Sequence, residues 1–292
     1  MRPLITGDEH GLTLQRALLL VPAVVVIVAV LGFPVISLVR TSFGTGHGPG
    51  AATGWTMDHY QQFFGDPLYL KVLLETLLYG VIVSLSCAVI GFPMAYALAR
   101  GSARSRRIGL SILLLPLMLS FIVSIFGWIV ILGRGGLVNN LLLSLGVTEQ
   151  PLRLLYTRGA VLFVLGYTFF PFMVLSILSV ISQIDPVLEQ AAASLRADRL
   201  TTYRRIILPL ALRGILSGSL IVFMATISAF ATPRLIGGSR IQMLGALIYE
   251  QIVVILNWPF GATMSVVLLL VVILIVAIAS LGRVFIASLR GR

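Results

Sequence analysis

The side chains able to carry a chemical step are few in this 292-residue chain, and they are scattered. Cys87, the only cysteine, sits in an apolar run and can form no disulfide within the chain. Lys71, the only lysine, follows Leu70 and not a glycine, so it cannot be the lysine of a phosphate-cradling P-loop. The three histidines, His10, His47 and His59, all lie outside the apolar runs. His47, Asp58 and His59 share one loop, but their loose, Gly-rich spacing is not that of a metal site. No HExxH or GxSxG pattern occurs, and an intramembrane enzyme would need such a nucleophile and base, paired carboxylates or a metal cluster. Glu75 lies at the edge of an apolar run, within snorkelling distance of water.

The elements that would have to position any site are set by composition. Hydrophobic side chains make up 58% of the chain and charged ones 11%, against about a quarter charged in soluble proteins. With a mean hydropathy of +1.05, the solvent for most of this chain is lipid. About 20 apolar residues span a bilayer, and six stretches approach that length: 17–39, 76–99, 108–132, 160–181, 215–231 and 263–286. The expected fold is therefore an all-α integral membrane protein with six transmembrane helices, a single transmembrane domain over 1–292. The first stretch is too long for a signal-peptide core and reads as retained. The fifth is diluted by Ser217, Ser219, Thr226 and Ser228, which suits a helix packed on other helices or lining a polar path.

The net charge of +11 would suggest nucleic acid in a soluble protein, but the positive residues here sit between apolar runs. With the N-terminus inside, 14 basic residues fall on the cytoplasmic side and 7 outside. That bias predicts N-in and C-in, with Arg100, Arg104, Arg106 and Arg107 as the strongest marker, and no role for nucleic acid. On the outer side, a Gly-rich loop with Gly44, Gly46, Gly48 and Gly50 leads to an aromatic segment of Trp55, Tyr60, Phe63 and Phe64. A second outer stretch holds Asn139 and Asn140, and a third holds Gly237-Gly238, an amphipathic piece over 244–255 and Asn257-Trp258-Pro259.

The internal loop 182–214 is longer than a connection requires. Asp185-Pro186 reads as a helix start, and VLEQAAASL is helical by propensity, with Leu188, Ala192 and Leu195 on one face. Asp198 is placed to cap a second short helix, which Pro209 would halt or kink. Ala191, Ala192 and Ala193 form a small-residue surface that another protein could approach closely.

The stretch from Leu188 to Leu195, followed by Tyr203-Arg204-Arg205-Ile206-Ile207-Leu208-Pro209 and Gly214-Ile215, resembles the EAA loop of binding-protein-dependent ABC importer permeases. Phe92 to Ala99 and Gly135-Gly136-Leu137-Val138-Asn139 agree with that family, and Phe230-Ala231-Thr232-Pro233 leading to Gly237-Gly238, with Asn257-Trp258-Pro259, resembles its spermidine/putrescine branch in particular. The resemblance implies a permease subunit whose coupling helix docks on a partner ATPase through Glu189, Gln190, Ala191, Ala192, Ala193, Leu195, Arg196, Ala197, Asp198 and Tyr203. An arginine at Ala192 is then expected to uncouple transport. The resemblance further implies two ATP-binding subunits that use ATP and magnesium, with no cofactor on this chain. A second permease, expected to be a paralogue, an extracytoplasmic solute-binding protein and a bacterial inner-membrane location complete the picture. Three positions depart from the family pattern: Gln190 replaces the motif's glutamate, Arg196 its glycine, and Arg213 a usual proline. With glycine replaced, either Arg196 avoids a positive φ or the bend shifts towards Ala197 and Asp198.

A polyamine path calls for acidic or aromatic groups. The candidates are Tyr79, Tyr167, Phe169, Phe170, Phe230 and Tyr249, with Ser228 and Thr232 supplying hydroxyls. So sparse a set predicts transient passage, with affinity residing in the binding protein. A stand-alone secondary carrier or channel is the competing reading, but it predicts internal repeats or midplane charges that this sequence lacks.

Overall fold

The computed structural model describes the backbone of residues 9–46 and 54–290, with side chains for residue 22 and for 25–30, 32–46 and 54–278. His47, Gly48 and Gly50 lie outside the described residues, as do the side chains at both ends of the helical array. Twelve α-helices follow in order among these residues: α1 (Glu9–Ser42), α2 (Asp58–Gly65), α3 (Pro67–Arg100), α4 (Ala103–Met118), α5 (Phe121–Leu132), α6 (Leu137–Ser144), α7 (Arg158–Ile181), α8 (Val187–Ser194), α9 (Arg199–Thr202), α10 (Leu208–Ile227), α11 (Leu244–Tyr249) and α12 (Trp258–Arg290). Among the described residues, six apolar helical segments are long enough to cross a membrane: 25–42, 67–100, 121–144, 158–181, 199–227 and 258–278.

The centre is a three-helix contact of α3, α7 and α10, made possible by missing side chains. A Cβ on Gly214 would lie 2.9 Å from the Ser176 carbonyl and 3.0 Å from Ile177 Cα, so α10 rests directly on the backbone of α7. One turn on, a Cβ on Gly218 would meet Met173 Sδ at 2.8 Å, and one on Gly80 would meet the Phe223 ring at 2.7 Å. Gly214 and Gly218 thus form the small-xxx-small stripe by which membrane helices approach closely, where lipid supplies no hydrophobic drive. Ser84 Oγ donates to the Ser219 carbonyl across the α3–α10 seam at 3.2 Å. Around this contact, Val83, Phe92, Val161, Leu165, Met173, Ile177 and Val222 form the main core.

A second cluster, with Phe63, Val72, Leu244, Phe260 and Met264, joins α2, α11 and the start of α12 to the start of α3. The aromatic segment after the Gly-rich loop is helical from Asp58, as α2, with Phe63 turned inward, while Trp55 precedes the helix and stays exposed. Thr76 Oγ1 accepts from Leu244 N–H at 2.9 Å, and Thr263 Oγ1 donates to the Ser42 carbonyl at 3.0 Å, tying α1 to α12.

Two expectations about chain path are corrected. The stretch 108–132 is two helices: Leu119 and Ser120 are extended between α4 and α5, and the apolar run goes on past a turn at 133–136 into α6. Pro116 removes one helical N–H just before the break, and the helix restarts with Ser124 N–H donating to the Ser120 carbonyl. Pro209 does not halt its helix. A π-helical turn over Tyr203–Ile207 joins α9 to α10 without interruption, so the proline sits in a continuous helical path and leaves one carbonyl of the preceding turn without its N–H donor.

Candidate functional site

The loop between α7 and α10 folds as the pair α8–α9, and each local feature traces to a residue. Asp185 Oδ1 accepts from Val187 N–H at 2.9 Å and caps α8. At its other end, Ala197 N–H donates to the Ala192 carbonyl at 3.0 Å and Arg196 N–H to the Ala193 carbonyl at 2.9 Å. This is a Schellman ending, and it places Arg196 at φ +59°. Of the two alternatives left by the sequence, avoidance and displacement, the structure takes neither: Arg196 itself occupies the glycine conformation. That conformation disfavours a side chain by about 1 kcal/mol or more. Arg196→Gly is therefore expected to raise stability by up to about 1 kcal/mol, read as a small upward shift of the thermal transition in detergent. A downward shift would mean that the Arg196 side chain makes a compensating contact.

The pair α8–α9 is held by one face of α3. Phe92, Tyr96 and Arg100 are spaced i, i+4, i+8 and point along that face. Arg100 Nε donates to Glu189 Oε1 at 2.6 Å and Tyr96 OH to Glu189 Oε2 at 2.7 Å, while Arg100 Nη2 donates to the Ile184 carbonyl at 3.0 Å. Both charged side chains are only 20% exposed. The Tyr203 ring packs 4.6 Å from Phe92 and 5.3 Å from Tyr96. Glu189 and Tyr203 are thus committed within the chain, and Ala192 is buried as well, at 6% exposure. What faces outward is Leu188, Ala191 and Leu195, the last 84% exposed, together with Gln190, Ala193 and Leu200. The expected small-residue surface is accordingly corrected: Ala192 turns inward, and an arginine there would disturb the chain's own packing before it met a partner. Beside it, the Thr201 hydroxyl draws the exposed Asp198 carboxyl below its ordinary range, so the group stays ionised at neutral pH.

The expected path residues fall into separate places. Tyr167 and Phe170 line an apolar groove of about 590 Å³ between α3, α4 and α7, with Trp128 set edge-on to Tyr167 at 5.0 Å. Phe230 and Tyr249 stack on each other, centroids 5.1 Å apart and planes 12° off parallel. They line a different cavity, of about 550 Å³, with Ser120, Phe121, Phe126 and Arg234. Tyr79, Ser228 and Thr232 line neither. Tyr79 and Thr232 are buried with hydroxyls that find no partner among the described residues, and Ser228 donates back to the Met224 carbonyl at 2.9 Å. Phe169 packs half-buried on the main core.

Sequence reading missed Arg234, which lines the second cavity, and Glu250, which pairs with it from beside the cavity. Arg234 lies over the Tyr249 ring, 5.7 Å from its centroid, and its Nη1 is 3.2 Å from Glu250 Oε2. The i, i+4 spacing of Phe230 and Arg234 was the available signal. Among the described residues no group of three His, Cys, Asp or Glu side chains is arranged to hold a metal, and the His59 ring lies against the Gly44 carbonyl at 3.2 Å.

Residues 88–290 match the family described as binding-protein-dependent transport system inner membrane component. The chain is 36% identical over 255 residues to the spermidine/putrescine transport system permease protein PotB of Salmonella typhimurium (strain SL1344), covering 85% of this chain and 88% of that protein. It is 37% identical over 217 residues to the protein of that name from Escherichia coli (strain K12), covering 74% and 78%. A bacterial alginate ABC transporter, solved in complex with an alginate pentasaccharide-bound periplasmic protein, has the same fold: TM-score 0.72 at 20% identity, over 93% of this chain and 94% of that one. The chain belongs to the binding-protein-dependent transport system inner membrane components, the multi-pass permease subunits of ABC importers.

Proposed function

We propose that this permease carries polyamines of the spermidine/putrescine class into the cell across the bacterial inner membrane, driven by ATP hydrolysis in partner chains. The substrate class rests on the names of the relatives that match most of the chain. The drive rests on one structural observation: a helix pair that presents Leu188, Ala191 and Leu195 outward while Glu189 and Tyr203 lock it to α3. Those outward residues dock on an ATP-binding subunit. Two such subunits, a second permease that is a paralogue, and an extracytoplasmic binding protein complete the assembly. This chain catalyses no reaction and binds no cofactor, magnesium and ATP being used by the partners.

The arginine bias orients both ends to the cytoplasm, which places α8–α9 and the end of α3 on the ATPase side and puts α2, α11 and the start of α12 outside. When the ATPases close, the push on α8 passes through Glu189 to Arg100 and through Tyr203 to Phe92. It reaches α3 and α10 together, because the π-helical turn is continuous with α10. The cavity then switches from inward-facing to outward-facing as packed helices shift between discrete arrangements.

The test uses the complex purified from its own host in mild detergent. Co-purifying ATP-binding subunits, a second permease and ATPase activity raised by polyamine-loaded binding protein are expected. Leu195→Asp removes an apolar contact with an exposed side chain, so it is expected to leave the protein in the membrane and lower stimulated ATPase by roughly tenfold, the equivalent of about 1.4 kcal/mol. A chain that purifies alone and moves solute without ATP in liposomes would be a secondary carrier. Full stimulation in Leu195→Asp would remove this surface from the coupling.

A further inference from the structure

The cavity beside Phe230 already holds a cation, and that cation belongs to the protein. Arg234 occupies both features an organic ammonium would use: the face of the stacked Tyr249 and the carboxylate of Glu250. Its surroundings are irregular backbone on three sides. The chain leaves α10 at Ser228 and enters a π-helical turn at Pro233–Gly237. A second π-helical turn starts at Glu250, and the extended Leu119-Ser120 break brings Ser120 and Phe121 to the facing wall. Irregular backbone in such a protein is tolerated where it lines a cavity or is buried in protein. Phe121, Ile122, Phe126 and Leu235 give the rest of the lining an apolar character suited to a methylene chain.

Resting on the polyamine reading, we propose that this cavity is a transit site for an aliphatic ammonium group, and that Arg234 is the resident counter-cation which the substrate displaces and which later displaces it. Glu250 carries one negative charge, so guanidinium and substrate ammonium together would leave the site net positive. Exchange keeps it neutral. The arriving ammonium takes the Tyr249 face and the carboxylate, with the Ser120 hydroxyl as a further acceptor, and its alkyl stem lies on Phe121 and Phe126. Arg234 and Glu250 are each 40% exposed, so the guanidinium has water to move into. The return of Arg234 to Glu250 ejects the substrate, which gives the site low affinity by construction, as a carrier fed by a separate binding protein requires.

The exchange has a distinctive signature, because removing the competitor strengthens binding while it slows release. Equilibrium binding of labelled putrescine and of butylamine to the purified transporter, without binding protein, is the measurement. Arg234→Gln is expected to bind both amines roughly tenfold tighter than wild type and to turn over more slowly in proteoliposomes. Arg234→Lys, which keeps a competing cation, is expected to stay near wild type. Glu250→Gln and Phe230→Ala are expected to lose the binding. If Arg234→Gln binds neither amine more tightly, or Glu250→Gln leaves binding unchanged, the proposal is overturned. The two readings fail separately. Tighter butylamine binding in Arg234→Gln, in a transporter that moves no polyamine, keeps the ammonium site and removes the polyamine assignment. Polyamine transport with no variant altering binding keeps the assignment and removes the site.

Discussion

Gly214→Val is expected to lower the thermal stability of this protein sharply. The new side chain would be driven into the Ser176 carbonyl at 2.9 Å and Ile177 Cα at 3.0 Å, and neither can rotate away, because both are backbone of α7. Overpacking a core that can adjust its side chains costs about 1–3 kcal/mol, and a backbone obstacle puts this substitution at the upper end or beyond. For a chain of this size, about 3 kcal/mol corresponds to a fall of roughly 10 °C in the thermal transition. The main core suffers as well, because α10 carries Ala211 and Val222 into the same cluster as Met173 and Ile177. Thermal unfolding of the purified chain, followed by circular dichroism or by loss of monodisperse protein, checks the prediction. Gly214→Ala should show a smaller part of the same drop. Gly127→Ala, where an added Cβ meets nothing within 4 Å, should leave the transition within about 1 °C. An unshifted transition in Gly214→Val would mean that α7 and α10 are not in direct backbone contact.

Glu189→Ala is expected to have the largest functional effect among substitutions that leave the spans untouched. It frees Arg100 Nε and Tyr96 OH at once and leaves a guanidinium 20% exposed with only the Ile184 carbonyl to hold it. A charge-assisted pair of this geometry, discounted for its partial exposure, contributes about 1–2 kcal/mol to fixing α8 on α3. Coupling between ATPase and transport should fall by roughly tenfold, since about 1.4 kcal/mol of lost positioning is a factor of ten in an equilibrium. Arg100→Ala should do as much, and the double variant little more than either alone, because both remove the same interaction. The readout is ATPase activity stimulated by loaded binding protein, alongside basal ATPase as a measure of assembly. Additive losses in the double variant would show that the two residues act independently. Tyr96→Phe, which removes one of the three bonds, should cost a few-fold at most.

The sequence reading of α8–α9 succeeded because that segment is governed by local rules. Asp185 caps, the alanine run propagates and the helix ends where the Schellman bonds close. The conformation of Arg196 was not legible, because a side chain disfavours a positive φ while the Schellman ending of α8 requires one at this position. The face of Ala192 was misread for a different reason. Leu188, Ala192 and Leu195 do lie on one side, but α8 packs on α9, and the small residue is buried while the two leucines are left outside. Pro116 precedes a real break, yet Pro93 and Pro171 sit inside continuous helices, so proline alone could not locate it. Arg234 and Glu250 could not be paired in advance, because two π-helical turns and an intervening helix decide where each points.

The π-helical turn at Tyr203–Ile207 also sets an angle. Each residue advances an α-helix by about 100°, and a π turn accommodates a residue beyond the α-helical count without lengthening the path much. The Leu208 N–H reaches back five residues to the Tyr203 carbonyl, so everything before this turn is rotated about the α10 axis relative to everything after it. Leu188, Ala191 and Leu195 owe their compass bearing around the bundle to that surplus residue as much as to their own identities. The loop therefore works as a crank whose throw is fixed by residue count. Within this stretch, substitutions alter how strongly the crank is gripped, whereas a change of length by one would turn it to face another way.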